Sequence, residues 1–84
     1  MEGKYTRKLL RKLKKELPED ANVKVVFAPT IRPSLKEYYR IWIDEFNYTV
    51  FEVFIEREGI KAAVEIISSL YLEDRMNEIL GGRM

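Results

Sequence analysis

Apolar residues recur at helical spacing in the first stretch of the chain. Between residues 4 and 17, Tyr5, Leu9, Leu10, Leu13 and Leu17 share one arc of a helical wheel, while Lys4, Arg7, Lys8, Arg11, Lys12, Lys14 and Lys15 fill the opposite arc. The pattern predicts an amphipathic helix over residues 4–17. Pro18 cannot continue it, and Pro18-Glu19-Asp20-Ala21-Asn22 has turn composition.

The period then changes. Residues 23–28, VKVVFA, are β-branched and aromatic and predict a strand. Pro29 and Pro33 enclose a loop running to about Lys36, with the Ile31-Arg32 pair as candidate contact residues, since positioned loops often carry function. Residues 37–44 alternate, placing Tyr39, Ile41 and Ile43 on one face and Tyr38, Arg40, Trp42 and Asp44 on the other. A turn at 45–47 and a second alternating run over 48–56 complete an expected β-hairpin. In that second run Thr49, Phe51, Val53 and Ile55 are expected inward, and Tyr48, Val50, Glu52, Phe54 and Glu56 outward.

Helical periodicity returns from about Glu58 to Leu72, with Ile60, Ala63, Val64, Ile67, Leu70 and Tyr71 as the apolar stripe. Met76, Ile79 and Leu80 predict a short helical tail ended by Gly81-Gly82. The expected fold class is α+β, in the order α-β-β-β-α, with a three-stranded antiparallel sheet and both helices on one face. Residues 1–84 make a single domain, with 1–3 and 81–84 read as flexible ends. The face bearing Tyr38, Arg40, Trp42, Tyr48 and Phe54 is left without helices of its own.

Composition narrows the chemistry. The chain of 84 residues has neither His nor Cys, which excludes the commonest neutral-pH acid–base group, disulfides and thiolate metal sites. Gln is also absent, and Lys, Arg and Glu are abundant, a composition that suggests a heat-adapted source. No stretch approaches the roughly 20 apolar residues of a membrane span, so a cytoplasmic protein with no membrane partner is expected.

Catalysis has little to work with. There is no Ser–His or Cys–His pair, no phosphate-binding Gly-rich loop and no metal-ligand spacing. Asp44 and Glu45 are neighbours on an expected strand end, where adjacent side chains face opposite ways. Ser68 and Ser69 have no base to activate them. The expectation is a binding protein, not an enzyme, with no cofactor and no metal.

Two surfaces could bind. The cations of the first helix, Lys4, Arg7, Lys8, Arg11, Lys12 and Lys15, with Arg32 from the loop, could follow a phosphate backbone. They could equally be a solvated face or dock on an acidic protein. Charge supports some polarity: residues 1–43 hold eleven Lys/Arg and five Asp/Glu, and residues 44–84 hold four and nine. The aromatic face (Tyr38, Arg40, Trp42, Tyr48, Phe54) could anchor a protein partner or stack unpaired bases.

The α-β-β-β-α order resembles that of double-stranded-RNA-binding domains, but the last helix opens with Arg57-Glu58-Gly59-Ile60-Lys61-Ala62, without the Lys cluster that clamps phosphate in that family. A second resemblance covers about Arg7 to Leu80. Leu17-Pro18-Glu19-Asp20, the hairpin from Tyr38, and Gly59-Ile60-Lys61-Ala62-Ala63-Val64-Glu65 are similar to the small dimerising (Pcc-type) subunit of the archaeal KEOPS complex and its divergent paralogue. Lys61 stands where that family usually has Arg, Glu65 stands where it usually has Asn, and its opening strand has no counterpart here. The resemblance implies a non-catalytic accessory subunit in the complex that makes threonylcarbamoyladenosine in tRNA. It would pair with a small subunit of similar fold, dock on a larger catalytic subunit and help engage tRNA. The alternatives are an independent nucleic-acid-binding domain and a mobile-element regulator that binds a host protein.

Overall fold

The computed structural model describes residues 2–29 and 36–81. The elements are α1 (Thr6–Glu16), β1 (Val23–Ala28), β2 (Tyr38–Ile43), β3 (Phe46–Phe51), α2 (Glu52–Glu58) and α3 (Ile60–Gly81). The strands form one antiparallel sheet in the order β1-β2-β3, so the expected α+β architecture is present. The contact loop with Ile31 and Arg32 lies outside the described residues.

One face of the sheet carries the core. Tyr39, Ile41 and Ile43 of β2 are fully buried beneath Leu9, Leu13 and Leu17 from the first helix and its exit, and Ala63, Val64, Ile67 and Tyr71 of α3. α1 packs on β1 and α3, so the two longer helices form a single layer.

The second half of the hairpin corrects the expected register. The turn is the two-residue Asp44-Glu45, with Ile43 opposite Phe46, instead of a turn over 45–47. Asp44 has φ +55°, a left-handed conformation that Asp adopts more readily than most residues. Side-chain direction alternates along a strand, so this odd-numbered shift of three residues moves every β3 side chain to the other face. Val50 therefore sits opposite Tyr39 and Tyr48 opposite Ile41, both on the covered face, while Thr49 and Phe51 join Arg40 and Tyr38 on the open face.

β3 also ends sooner than expected. Residues 52–58 are helical, so Val53, Phe54 and Ile55 belong to α2, where Ile55 is buried and Phe54 packs against the core. Gly59, at φ +95°, separates α2 from α3 in a conformation that needs no Cβ. The expected last helix and tail are one continuous α3 of 22 residues. Leu70, expected in its buried stripe, is 43% exposed.

Gly3 packs so closely on Phe27 and Tyr39 that a Cβ there would fall 2.4 Å from the Phe27 ring and 2.7 Å from the Tyr39 hydroxyl. Its amide donates to Thr6 Oγ1 at 2.8 Å, closing the turn that enters α1. At the other end Gly81 is the last residue of α3.

Candidate functional site

The open sheet face is built from three residues of each strand. Lys24, Val26 and Ala28 lie beside Trp42, Arg40 and Tyr38, which lie beside Asn47, Thr49 and Phe51. Cross-strand neighbours in these registers share a face. Val26, Trp42 and Phe51 keep 40%, 38% and 47% of their surface exposed, which is high for large apolar side chains grouped together. The Tyr38 and Phe51 rings meet edge to face with centroids 6.1 Å apart. Arg40 lies in the middle of this grid, half-buried, and its Nε is shielded from water with no hydrogen-bond acceptor among the described residues.

Of the five residues expected on this face, Tyr38, Arg40 and Trp42 are there. Tyr48 and Phe54 are not. Tyr48 is half-buried on the helix side and donates its hydroxyl to Asp74 Oδ2 of α3 at 2.7 Å. Phe54 lies in α2 and lines a small apolar groove of about 270 Å³ with Phe51, Ile66 and Leu70. Phe51, expected inward from the sequence pattern, and Val26, which the pattern assigned to no face, belong to the open face. A hairpin read with the two-residue Asp44-Glu45 turn would have found Phe51, because that turn fixes the register.

The cationic surface is on the other side of the molecule. α1 turns Leu9 and Leu13 to the sheet. Lys8, Arg11, Lys14 and Lys15 are exposed, and Lys12 is half-buried. Two of the expected cations are engaged within the chain: Arg7 Nε donates to Glu2 at 3.0 Å, and Lys4 Nζ lies 3.9 Å from Glu56. Among the described residues no carboxylate pairs with Lys8, Arg11, Lys12, Lys14 or Lys15. Between α1 and α3, Lys12, Lys15 and Lys61 line a cleft of about 210 Å³, where Glu16 and Glu65 offset part of their charge.

Five acidic residues, Asp44, Glu45, Glu73, Asp74 and Glu78, lie at the hairpin turn and in the distal part of α3. There the Glu78 carboxyl is pushed up, first by the hydrogen bond it shares with Glu45. Asp44 is held below the usual carboxylate range, chiefly because the Tyr71 hydroxyl donates to it and next because the Asn22 amide does. No group of three or more acidic residues is arranged to hold a metal ion among the described residues. Ser68 is buried in α3 and Ser69 is exposed, with no His in the chain to activate either. Among the described residues no helix is long and apolar enough to cross a membrane.

Comparison with known proteins gives no further anchor: no family model, curated protein or solved structure matches the chain.

Proposed function

We propose that this chain is a non-catalytic accessory subunit that binds a partner protein through the open face of its sheet. The observation that carries the reading is the grid around Arg40. Val26, Trp42, Phe51 and Tyr38 supply an apolar, aromatic centre, and Lys24, Asn47 and Thr49 supply a polar rim. That composition, with Trp, Tyr and Arg as anchors, is the anatomy of a protein interface. The half-buried Arg40 guanidinium at the centre of the grid is the kind of group that a partner's carbonyl or carboxylate oxygen would bind.

The only ionisable charges within the grid, Lys24 and Arg40, are both positive. Two copies meeting face to face would set like charges together in a drying interface, which disfavours a homodimer through this surface. The favoured partner is a different chain, with acceptor oxygens over Arg40 and an apolar patch over Trp42 and Phe51. A small subunit of similar fold beside a larger catalytic subunit, in a tRNA-modifying assembly of the KEOPS type, is the setting that the family resemblance suggests. The helix layer on one side of the sheet and the bare aromatic face on the other support such pairing.

The test is affinity purification from the native host with wild-type chain and with Trp42→Ala and Arg40→Glu variants, followed by mass spectrometry and native mass measurement. A stoichiometric complex with one other small protein, lost in both variants while their circular dichroism is unchanged, is the expected result. A protein that stays monomeric, or a complex indifferent to both changes, would rule the reading out.

A further inference from the structure

The outer face of α1 makes a second surface, independent of the sheet. Lys8, Arg11 and Lys15 are spaced i, i+3, i+7 and run as a stripe along the helix, about 150° round from Leu9 and Leu13. Lys12 and Lys14 flank the stripe. At 1.5 Å rise per residue, neighbouring charges in the stripe are about 4.5 and 6 Å apart along the axis. Five like charges held this closely, none in an ion pair among the described residues, repel one another in the free protein, Lys12 and Lys15 less so because Glu16 and Glu65 share their cleft. The chain has 14 acidic residues that could have neutralised them.

The surroundings of the stripe select among anionic partners. A protein interface needs an apolar centre. Here the apolar side chains of α1 are turned to the core, and nothing apolar interrupts the cations on the outer side. Bases of a single strand need aromatic platforms. α1 has none within Thr6–Glu16, and Tyr5 before it is turned edge-on to Tyr39, at 6.3 Å between centroids. The exposed aromatic residues Trp42 and Phe51 lie across the sheet, where a strand following α1 does not reach. A duplex backbone needs neither an apolar centre nor a stacking platform.

We propose that the outer face of α1, through Lys8, Arg11 and Lys15 with Lys12 and Lys14, binds the phosphate backbone of a nucleic-acid duplex without reading its sequence. Between three and five phosphates would be neutralised. The counterion-release slope of about −0.9 per phosphate then sets a fall in affinity of about 40- to 500-fold between 50 and 200 mM salt.

The test uses fluorescence anisotropy with labelled 20-base-pair DNA and RNA duplexes, two unrelated sequences of each, and the corresponding single strands. Expected are similar affinities for the two sequences, a salt slope of about −3 to −4.5, and loss of binding in a Lys8→Glu/Arg11→Glu/Lys15→Glu variant that remains folded by circular dichroism. Single Lys8→Ala, Arg11→Ala or Lys15→Ala changes should each flatten the slope by about 0.9. Binding of one duplex form alone, DNA or RNA, would support the proposal and identify the backbone geometry the stripe accepts. Trp42→Ala should leave duplex binding unchanged, which separates this surface from the sheet face. No binding at 50 mM salt, an unaffected triple variant, or binding confined to single strands and lost in Trp42→Ala would each overturn the proposal.

Discussion

The Tyr71 hydroxyl donates a 2.5 Å hydrogen bond to Asp44 Oδ2, while Oδ1 of the same carboxylate accepts from the Asn22 amide at 3.0 Å. One side chain at the tip of the hairpin thus ties the entry of β1 to the middle of α3. Arg75 extends the link, reaching Tyr71 and Asp20 at 3.4 Å each. These bonds depress the Asp44 carboxyl in the folded state. The stabilisation is therefore present above the unfolded Asp value of about 3.9 and is lost as pH falls through the lower folded value. Asp44→Asn keeps a residue that tolerates the positive φ but removes the charge. Urea titration should show Asp44→Asn less stable than wild type near neutral pH, the difference shrinking as pH falls below about 3.9. A gap that stays constant with pH would mean that charge adds nothing to these bonds.

The Tyr39 hydroxyl plays a matching part at the opposite end of the sheet. It donates to Glu52 Oε2 at 2.7 Å and accepts from the Tyr5 amide at 3.0 Å, and Gly3 closes over it. Any side chain at Gly3 must displace Phe27 or Tyr39. Gly3→Ala should cost about 1–3 kcal/mol by overpacking. Tyr39→Phe should cost about 1–2 kcal/mol, because it leaves the Tyr5 amide without its acceptor. Thermal melts would check both, and a neutral Gly3→Ala would show that the chain start does not dock on the sheet in solution.

The α1 pattern was legible because every cue agreed: the apolar arc, the opposing cations and Pro18 all define one element. The β2 faces were legible for a similar reason, with Tyr39, Ile41 and Ile43 buried as their alternation indicates. β3 was not. Phe46 to Glu56 alternates as a strand would, yet the same residues satisfy helix spacing from Glu52 onward. Tertiary packing of Ile55 decides between them. A one-residue difference in the turn then reversed which aromatics are open, so part of the candidate site was misplaced although the fold class was right. The α1 surface was visible in outline, but the engagement of Lys4 and Arg7 with Glu56 and Glu2 depends on contacts that spacing does not encode.

The register makes its own test. If Phe51 and Trp42 lie on the open face, Phe51→Ser and Trp42→Ser should each cost about 1 kcal/mol, less than a core substitution. Phe54→Ala, in α2 against the core, should cost about 2 kcal/mol, somewhat less than a fully buried Phe. Tyr48→Phe should lose the bond to Asp74, about 0.5–1.5 kcal/mol. Chemical denaturation of the four variants would compare them directly. The opposite ranking, with Phe51 costly and Phe54 neutral, would restore the register in which the strand continues past residue 51.

α3 changes character along its length. From Ala63 to Tyr71 the buried residues share one stripe, but Leu72, Met76, Ile79 and Leu80 are 47%, 60%, 62% and 58% exposed. At 100° per residue their mean direction is rotated by about 130° from the buried stripe. Asp74 and Glu78 fall instead on the side that Tyr71 and Ile67 use for packing, and Asp74 spends its carboxylate on Tyr48. The distal turns therefore contribute little burial to this chain's own core. Replacing Leu72 with Gln and Met76 with Lys should leave the denaturation midpoint of the isolated protein within about 0.5 kcal/mol of wild type for each change, since exposed positions of good helical residues rarely matter more. Ile67→Ala, one to two turns earlier on the buried stripe, should cost about 2–4 kcal/mol. Equal losses at Met76 and Ile67 would show that the distal helix is packed in solution, and that the exposed stripe is not part of the isolated chain.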